Sequence, residues 1–115
     1  MENCIFCRII AGEIPSPRVL ENEHLIAIRD IHPAAPTHVL LIPRKHVVSL
    51  AELEEGDVEL GGRLLLAARR VAEQEGIAES GFRMVVNTGV DGGQTVGHLH
   101  FHVMGGRGLT GHGTA

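Results

Sequence analysis

The chain of 115 residues has no tryptophan or tyrosine, only three phenylalanines and two cysteines, and no excess of positive charge. The spacing of the two cysteines, Cys4 and Cys7, is too tight to staple a secreted scaffold, so the reducing cytoplasm is the expected location. A net charge of −4 argues against the broad electrostatic attraction that drives binding to nucleic-acid polymers or anionic membranes. No stretch approaches the roughly 20 apolar residues of a membrane span, so no membrane partner is expected. Any phosphate that the protein binds must therefore be held locally.

The chain does have enough apolar sequence for one hydrophobic core. Apolar residues make up 43% of it, which is ordinary for a soluble globular domain. Residues 1–107 are interpreted as a single domain. Residues 108–115 are so rich in glycine that we expect a C-terminal tail.

Apolar periodicity predicts strands, then one long helix, then strands again. The long helix is expected to be capped by Asp57 and to stop at Gly76, because apolar residues recur at three- and four-residue intervals between them. This order favours an α+β fold with an antiparallel sheet and the helix packed on one face. The other predicted elements are a short helix closed by Gly12, two strands within residues 18–30, a strand from His38 to Pro43, a helical turn after Ser49, and strands at 82–87 and 98–104.

Three histidines occupy alternate positions near the C-terminus: His98, His100 and His102. In a strand their rings would lie on one side and the intervening apolar residues on the other. At about 3.3 Å per residue, the outer two would lie roughly 13 Å apart along the strand, so all three could share one zinc only with difficulty. Two readings remain, a metal site using two of them or a reacting histidine flanked by two others.

The segment Asp91–Thr95, "DGGQT", directly precedes the histidines. Its glycines allow backbone amides to converge on an anion, and Gln94 and Thr95 add side-chain donors. The same segment is expected to form a hairpin turn, with Asn87 at the end of the preceding strand and near the histidines. A phosphate-binding loop beside three histidines favours the reacting histidine.

The stretch from Asn87 to Met104 resembles the signature of the histidine triad (HIT) family. Residues 5–46 are similar to the N-terminal half of its Hint branch, the purine nucleoside phosphoramidases. The resemblance covers Cys4 to Arg107 and implies a HIT-like fold, an antiparallel sheet of about five strands with one long helix and a short N-terminal helix. It also implies a homodimer that hydrolyses purine nucleoside 5′-phosphoramidates of the adenosine type, with AMP as product.

The resemblance implies a role for each residue of the site. His100 would attack the α-phosphorus to form a nucleotidyl-histidine, and His102 would bind the phosphoryl oxygens. His38 would support the triad from an adjacent strand, His98 would anchor it, and Asp30 would bind the ribose hydroxyls. The remaining implied contacts are Asn87, Gly93 and Gln94 at the phosphate, Thr95 at the leaving group, and Ile5, Phe6, Ile9, Ile28 and Ile31 at the base.

The two cysteines form a Cys-x-x-Cys pair, Cys4 and Cys7. Zinc-containing HIT relatives combine such a pair with two histidines, and the matching positions here are His46 and His98. Such a Cys₂His₂ set would be structural, because four protein ligands leave no open position for water. The alternative is a reduced, metal-free thiol pair.

Two departures from the family pattern bear on specificity. Gly97 stands where relatives often carry an aromatic residue, and the tail lacks the aromatic, proline-rich ending that helps to form the substrate edge across the dimer interface. The leaving-group preference is therefore open. Two other functions also stay open, dinucleoside polyphosphate hydrolysis and a nucleotide- or zinc-binding regulatory module with little catalysis.

Overall fold

Five strands form one sheet in the computed structural model, which describes residues 3–111. The strands lie in the order β1-β2-β3-β5-β4, and every neighbouring pair is antiparallel. The predicted α+β architecture with five strands is confirmed. The predicted tail, 108–115, is described only as far as Gly111. The strands are β1 (Arg18–Glu21), β2 (Leu25–Arg29), β3 (Thr37–Pro43), β4 (Phe82–Val86) and β5 (Phe101–Gly105).

Both predicted helices are present. The short helix α1 spans Ile5–Ile10, and the Cys4 sulfur accepts a hydrogen bond from the Cys7 amide at its first turn. The long helix α2 spans Val58–Gln74 and buries one apolar face against the sheet. Gly76 follows it with a φ of 74°, a left-handed conformation that ends helices and favours glycine. Within residues 3–111 no helix has both the length and the apolar character needed to cross a membrane.

The start of α2 differs from the prediction. Asp57 occupies the N-cap position, but its side chain makes no capping hydrogen bond to the helix. The carboxylate instead accepts from the Glu54 amide at 3.0 Å and from the Lys45 ammonium at 2.6 Å. A charged partner within reach competes with the helix amides, and the sequence pattern does not reveal it. The helical turn after Ser49 is confirmed as a short 3₁₀ helix, Leu50–Glu52.

Alternate residues of the sheet belong to two separate cores. On β3, Val39 and Leu41 pack in the cluster that contains the buried face of α2, whereas Leu40 and Ile42 pack with Phe6 of α1. This division follows from the two-residue period of a strand. The face of the sheet that α1 covers also carries His38, which has the same parity as Leu40, and it is the face on which the candidate site lies.

The last strand begins later than predicted. The ladder of β5 starts at Phe101, so His98 and His100 lie in the segment before it. That segment does not pair as a strand. It is held by individual hydrogen bonds, one of which runs from the Leu99 amide to the Val47 carbonyl at 2.7 Å. The predicted alternation of faces nevertheless holds, because Leu99 packs in the α2-side core while the rings of His98 and His100 contact Phe6.

Candidate functional site

His100 is the buried central histidine of the three. Its Nδ1 lies 2.8 Å from the carbonyl oxygen of His98. A carbonyl only accepts, so Nδ1 carries the proton and donates, and Nε2 is left with its lone pair. The edge of the ring packs against Phe6 at a centroid distance of 5.1 Å. The backbone thus fixes both the tautomer of His100 and the nitrogen that is free to react.

His38 and His102 form a directional pair of rings. The Ala34 amide donates to Nδ1 of His38 at 2.9 Å, which places the proton of a neutral His38 on Nε2. That Nε2 lies 2.8 Å from Nδ1 of His102, so His38 donates and His102 accepts. The proton of a neutral His102 is then on its Nε2. One backbone amide therefore orients two side chains.

The pKa values of these two rings are consistent with neutral imidazoles. Burial, together with the neighbouring His100 and His38, lowers the pKa of His102 to about 4, while the Asp30 carboxylate acts in the opposite direction. Burial also lowers the pKa of His38, although the Asp30 carboxylate acts in the opposite direction. At neutral pH both rings therefore act as hydrogen-bonding groups without net charge.

Asp30 makes a contact that the sequence pattern did not predict. One carboxylate oxygen accepts from the His32 amide at 2.8 Å, and the other lies 3.4 Å from Nε2 of His38. The Asp30 amide also donates to the His38 carbonyl at 3.0 Å, because β2 and β3 are paired up to this point. The candidate ribose ligand is thus linked directly to the histidines.

A cavity of about 410 Å³ opens beside these residues, between α1 and the sheet. It brings together His100, His102, Asp30 and Thr95 with every residue predicted to contact the base, Ile5, Phe6, Ile9, Ile28 and Ile31. Sequence reasoning did not predict the other residues that line this cavity. The period of β3 could have identified Leu40, whereas the loop after α1 carries no pattern that points to a cavity. The missed residues are Ile14, Pro15, Ser16, Arg29, His32, Leu40 and Val96.

Three predicted phosphate contacts, Asn87, Gly93 and Gln94, are not in the cavity lining. The Gln94 amide donates to the carbonyls of Val48 and Val96 at 2.7 and 2.9 Å, and its oxygen accepts from the Gly89 amide. The Asn87 amide donates to the Gly92 carbonyl at 2.8 Å. Both side chains brace the loop, and their contact with phosphate stays a prediction.

A second cluster contains the four predicted metal ligands, Cys4, Cys7, His46 and His98, whose ligand atoms all lie within 4.8 Å of one another. Nδ1 of His98 lies 3.2 Å from the Cys4 sulfur and 3.1 Å from Nδ1 of His46. Nε2 of His98 donates to the Pro43 carbonyl at 2.9 Å, so the lone pair of Nδ1 faces the cluster. The fold thus brings together residues far apart in sequence.

The donor chemistry of this cluster fits zinc. Two sulfurs and two imidazole nitrogens are the ligand set of closed tetrahedral zinc sites. Burial, together with the hydrogen bond and charge of Cys4, raises the pKa of the Cys7 thiol to about 11. A thiol of this kind stays protonated at neutral pH unless a cation displaces the proton. These residues can therefore hold a structural zinc ion.

The HIT domain family matches residues 11–109 of the chain. Purine nucleoside phosphoramidase of Escherichia coli (strain K12) is 44% identical, over 94% of this chain and 91% of that protein. A 14 kDa zinc-binding protein of Zea mays is 50% identical, over 90% of this chain and 81% of that protein. A crystal structure of a HIT family hydrolase from Legionella pneumophila superimposes with a TM-score of 0.92 at 45% identity, covering 94% of this chain and 96% of that one.

Proposed function

Because this chain belongs to the HIT family and is a hydrolase of that family, we propose that it cleaves purine nucleoside 5′-phosphoramidates of the adenosine type. The observation that carries the proposal is the hydrogen bond from Nδ1 of His100 to the His98 carbonyl. It leaves Nε2 as a nucleophile on a residue that lines the cavity. The phosphoramidase among the relatives supports the choice of substrate.

In the first step, Nε2 of His100 attacks the α-phosphorus of the substrate. A bond forms between Nε2 and phosphorus, and the bond between phosphorus and the substrate nitrogen breaks. The leaving amine takes up one proton, which the Thr95 hydroxyl can pass on from water. The ring becomes cationic, and the His98 carbonyl stabilises it by accepting from Nδ1. Nε2 of His102 can donate to a phosphoryl oxygen where negative charge develops.

In the second step, water attacks the phosphorus of the nucleotidyl-histidine. The bond to Nε2 breaks, neutral His100 is restored, and the nucleoside 5′-monophosphate leaves. The water proton is released to solvent. No side chain changes its net protonation over the cycle, which suits the lowered pKa values of His38 and His102.

The nucleoside would occupy the apolar part of the cavity. A flat base can pack between Phe6 and Ile28, both of which are buried at the cavity wall. The Asp30 carboxylate has lone pairs enough to accept from a ribose hydroxyl while keeping its contact with His32. This arrangement selects for a nucleoside over a simple phosphoramidate.

Cys4, Cys7, His46 and His98 would hold zinc, as the zinc-binding relative and the donor set suggest. A closed tetrahedral site supplies a structural cross-link and no open position for water. With its side chain held in this way, His98 keeps its backbone carbonyl in position to accept the hydrogen bond from Nδ1 of His100. Catalysis would depend on this site through the position of His98.

We also propose a homodimer, built on α2 and the edge strand β4. Leu65 and Leu66 on α2 are 63% and 60% exposed, and Phe82 at the start of β4 is exposed as well. Within residues 3–111, strand β4 stands at one end of the strand order, and an edge strand can pair with a strand of another chain. Sedimentation measurements that found only monomer would contradict this part of the proposal.

The test of the nucleophile compares wild type with His100→Ala on adenosine 5′-phosphoramidate, with AMP release measured by chromatography. We expect a loss of at least about 10³-fold in kcat/KM, because a nucleophile cannot be replaced by its neighbours. His24→Ala, which changes a histidine outside the cavity, should retain wild-type rates. Equal AMP release by wild type and His100→Ala would refute the assignment. Tight AMP binding without turnover by wild type would indicate a binding module.

A further inference from the structure

The loop between β2 and β3, residues 31–36, carries the amide that orients His38. These residues belong to neither a helix nor a strand, and Pro33 and Pro36 have no amide hydrogen with which to hold the loop. Ala34, between the two prolines, donates from its amide to Nδ1 of His38 at 2.9 Å. The position of a loop with two prolines therefore decides which nitrogen of His38 carries the proton.

The side chain of Arg107, which follows β5, holds the same loop from outside. One guanidinium nitrogen donates to the Ala34 carbonyl at 3.0 Å, and another donates to the Gly108 carbonyl at 3.0 Å, which fixes the direction of the side chain. Ala34 is thus held through both of its backbone polar atoms, by His38 at the amide and by Arg107 at the carbonyl. A hydrogen bond from a charged donor is stronger than one between neutral groups. Arg107 therefore anchors the residue that orients His38.

The first residue after β5 has to be glycine for Arg107 to reach the loop. Gly105 pairs with Thr37, the first residue of β3. Gly106 then turns with a φ of 98°, a left-handed conformation that favours glycine. A Cβ atom at Gly106 would lie 2.8 Å from Cβ of Pro36, well inside the distance at which two carbons make contact. The backbone before Arg107 therefore lies directly against the loop.

The direction of the hydrogen bond between His38 and His102 depends on this anchored amide. While the Ala34 amide donates to Nδ1 of His38, Nε2 keeps the proton and donates to Nδ1 of His102 at 2.8 Å. If the amide moves away, a neutral His38 can carry its proton on Nδ1, and the hydrogen bond then runs from His102 to His38. In that arrangement Nε2 of His102 has a lone pair and cannot donate to a phosphoryl oxygen.

We propose that Arg107 is a positioning residue for the reaction, which holds Ala34 so that His102 keeps its proton on the nitrogen that faces the phosphoryl group. The inference rests on the proposed phosphoramidase function. Arg107 lies outside the lining of the nucleotide cavity, so its effect reaches the substrate through Ala34 and His38. The loop also contributes to the cavity wall at residues 30–32, and a residue that only supported this wall would change KM instead of kcat.

The first test compares the kinetics of Arg107→Ala with those of wild type on adenosine 5′-phosphoramidate. Arg107→Ala should lower kcat about 10-fold and change KM less than about 2-fold, because the substrate still binds while His102 cannot donate in most molecules. Arg107→Lys should recover part of kcat, since an ammonium group can also donate to the Ala34 carbonyl. Arg44→Ala is the matched control and should keep wild-type kinetics, because Arg44 also donates to a loop carbonyl, that of Asn22 at 2.7 Å.

The second test combines the substitution with the loss of His38. In a His38→Ala background, Arg107→Ala should lower kcat less than about 2-fold further, because two residues that act through one hydrogen-bond network are not additive. A full additional 10-fold loss would show that Arg107 acts by another route and would overturn the inference. A rise in KM with unchanged kcat would overturn it as well, since Arg107 would then support the cavity wall.

Nitrogen-15 NMR of histidine-labelled protein reads the tautomer of His38 without any substrate. Its signals are those absent from His38→Ala, and burial lowers its pKa, so the ring is neutral at neutral pH. Wild type should carry the proton on Nε2, whereas Arg107→Ala should show molecules with the proton on Nδ1. An unchanged tautomer in Arg107→Ala would refute the inference. A wild type that does not cleave the substrate would refute the proposed function, and the NMR measurement would still decide separately whether Arg107 sets the position of the proton.

Discussion

Two histidine-containing clusters lie next to His100, the proposed nucleophile. The thiol–imidazole cluster contains Cys4, Cys7, His46 and His98, and the carboxylate–imidazole cluster contains Asp30, His38 and His102. In the first, the ligand atoms converge on one point. In the second, hydrogen bonds run in one direction, from the Ala34 amide through His38 to His102. The same residue type is therefore arranged to offer lone pairs in one place and a proton in the other.

The backbone group that contacts each ring accounts for this difference. The Pro43 carbonyl accepts from His98, so the opposite ring nitrogen presents a lone pair to the cysteines. The Ala34 amide donates to His38, so the opposite ring nitrogen presents a proton to His102. When a backbone carbonyl accepts from one nitrogen of a neutral imidazole, the other nitrogen has a lone pair and can bind a metal. When a backbone amide donates to one nitrogen, the other nitrogen carries the proton and can donate it.

The largest expected effect comes from removing the thiols. A Cys4→Ser/Cys7→Ser variant should lose bound zinc and about 4 kcal/mol of unfolding free energy, because a ligand at about 1,000 times its Kd stabilises the fold by that amount. Metal analysis and urea unfolding measure both quantities. His38→Ala should keep its zinc, since it lies in the other cluster. A wild-type protein purified without zinc, and as stable as the variant, would contradict this prediction.

A smaller effect is expected at His38, which positions His102. His38→Ala should lower kcat about 10²-fold with little change in KM, because the loss of one positioning contact misorients His102. His38→Gln should recover part of the rate, since its amide can still donate to Nδ1 of His102. Steady-state kinetics distinguish the two variants. Equal rates for alanine and glutamine would show that the hydrogen bond is irrelevant to catalysis.

The smallest effect is the pH dependence of stability that His102 contributes. Burial lowers its folded pKa from 6.5 to about 4. Between these values the unfolded chain binds more protons, so the free energy of unfolding decreases as the pH falls from about 6.5 towards 4. After discounting for solvent screening, the contribution is about 1 kcal/mol. Urea unfolding of wild type and His102→Gln at pH 7 and pH 4.5 should give a smaller decrease for the variant; equal decreases would disprove the contribution.

The sequence pattern predicted a large part of the fold, whereas most of the candidate site residues were implied by the family resemblance. Periodicity identified α2 and the strands, and the alternation of His98, His100 and His102 placed their rings on one face. Periodicity could not predict the start of β5, because the start depends on where β5 pairs with β3 and β4. It also could not predict that Gln94 braces its own loop through Val48, since a side-chain amide suits phosphate and carbonyl partners equally.

The sequence by itself determined which residue types are available and which of them share a face, because side-chain direction along a strand or helix follows a local period. Only the tertiary structure decided what each histidine can do. The proton on each ring depends on a backbone group elsewhere in the chain, such as Pro43 for His98. Hydrogen bonds between distant segments have no period in the sequence, so folding alone brings them about.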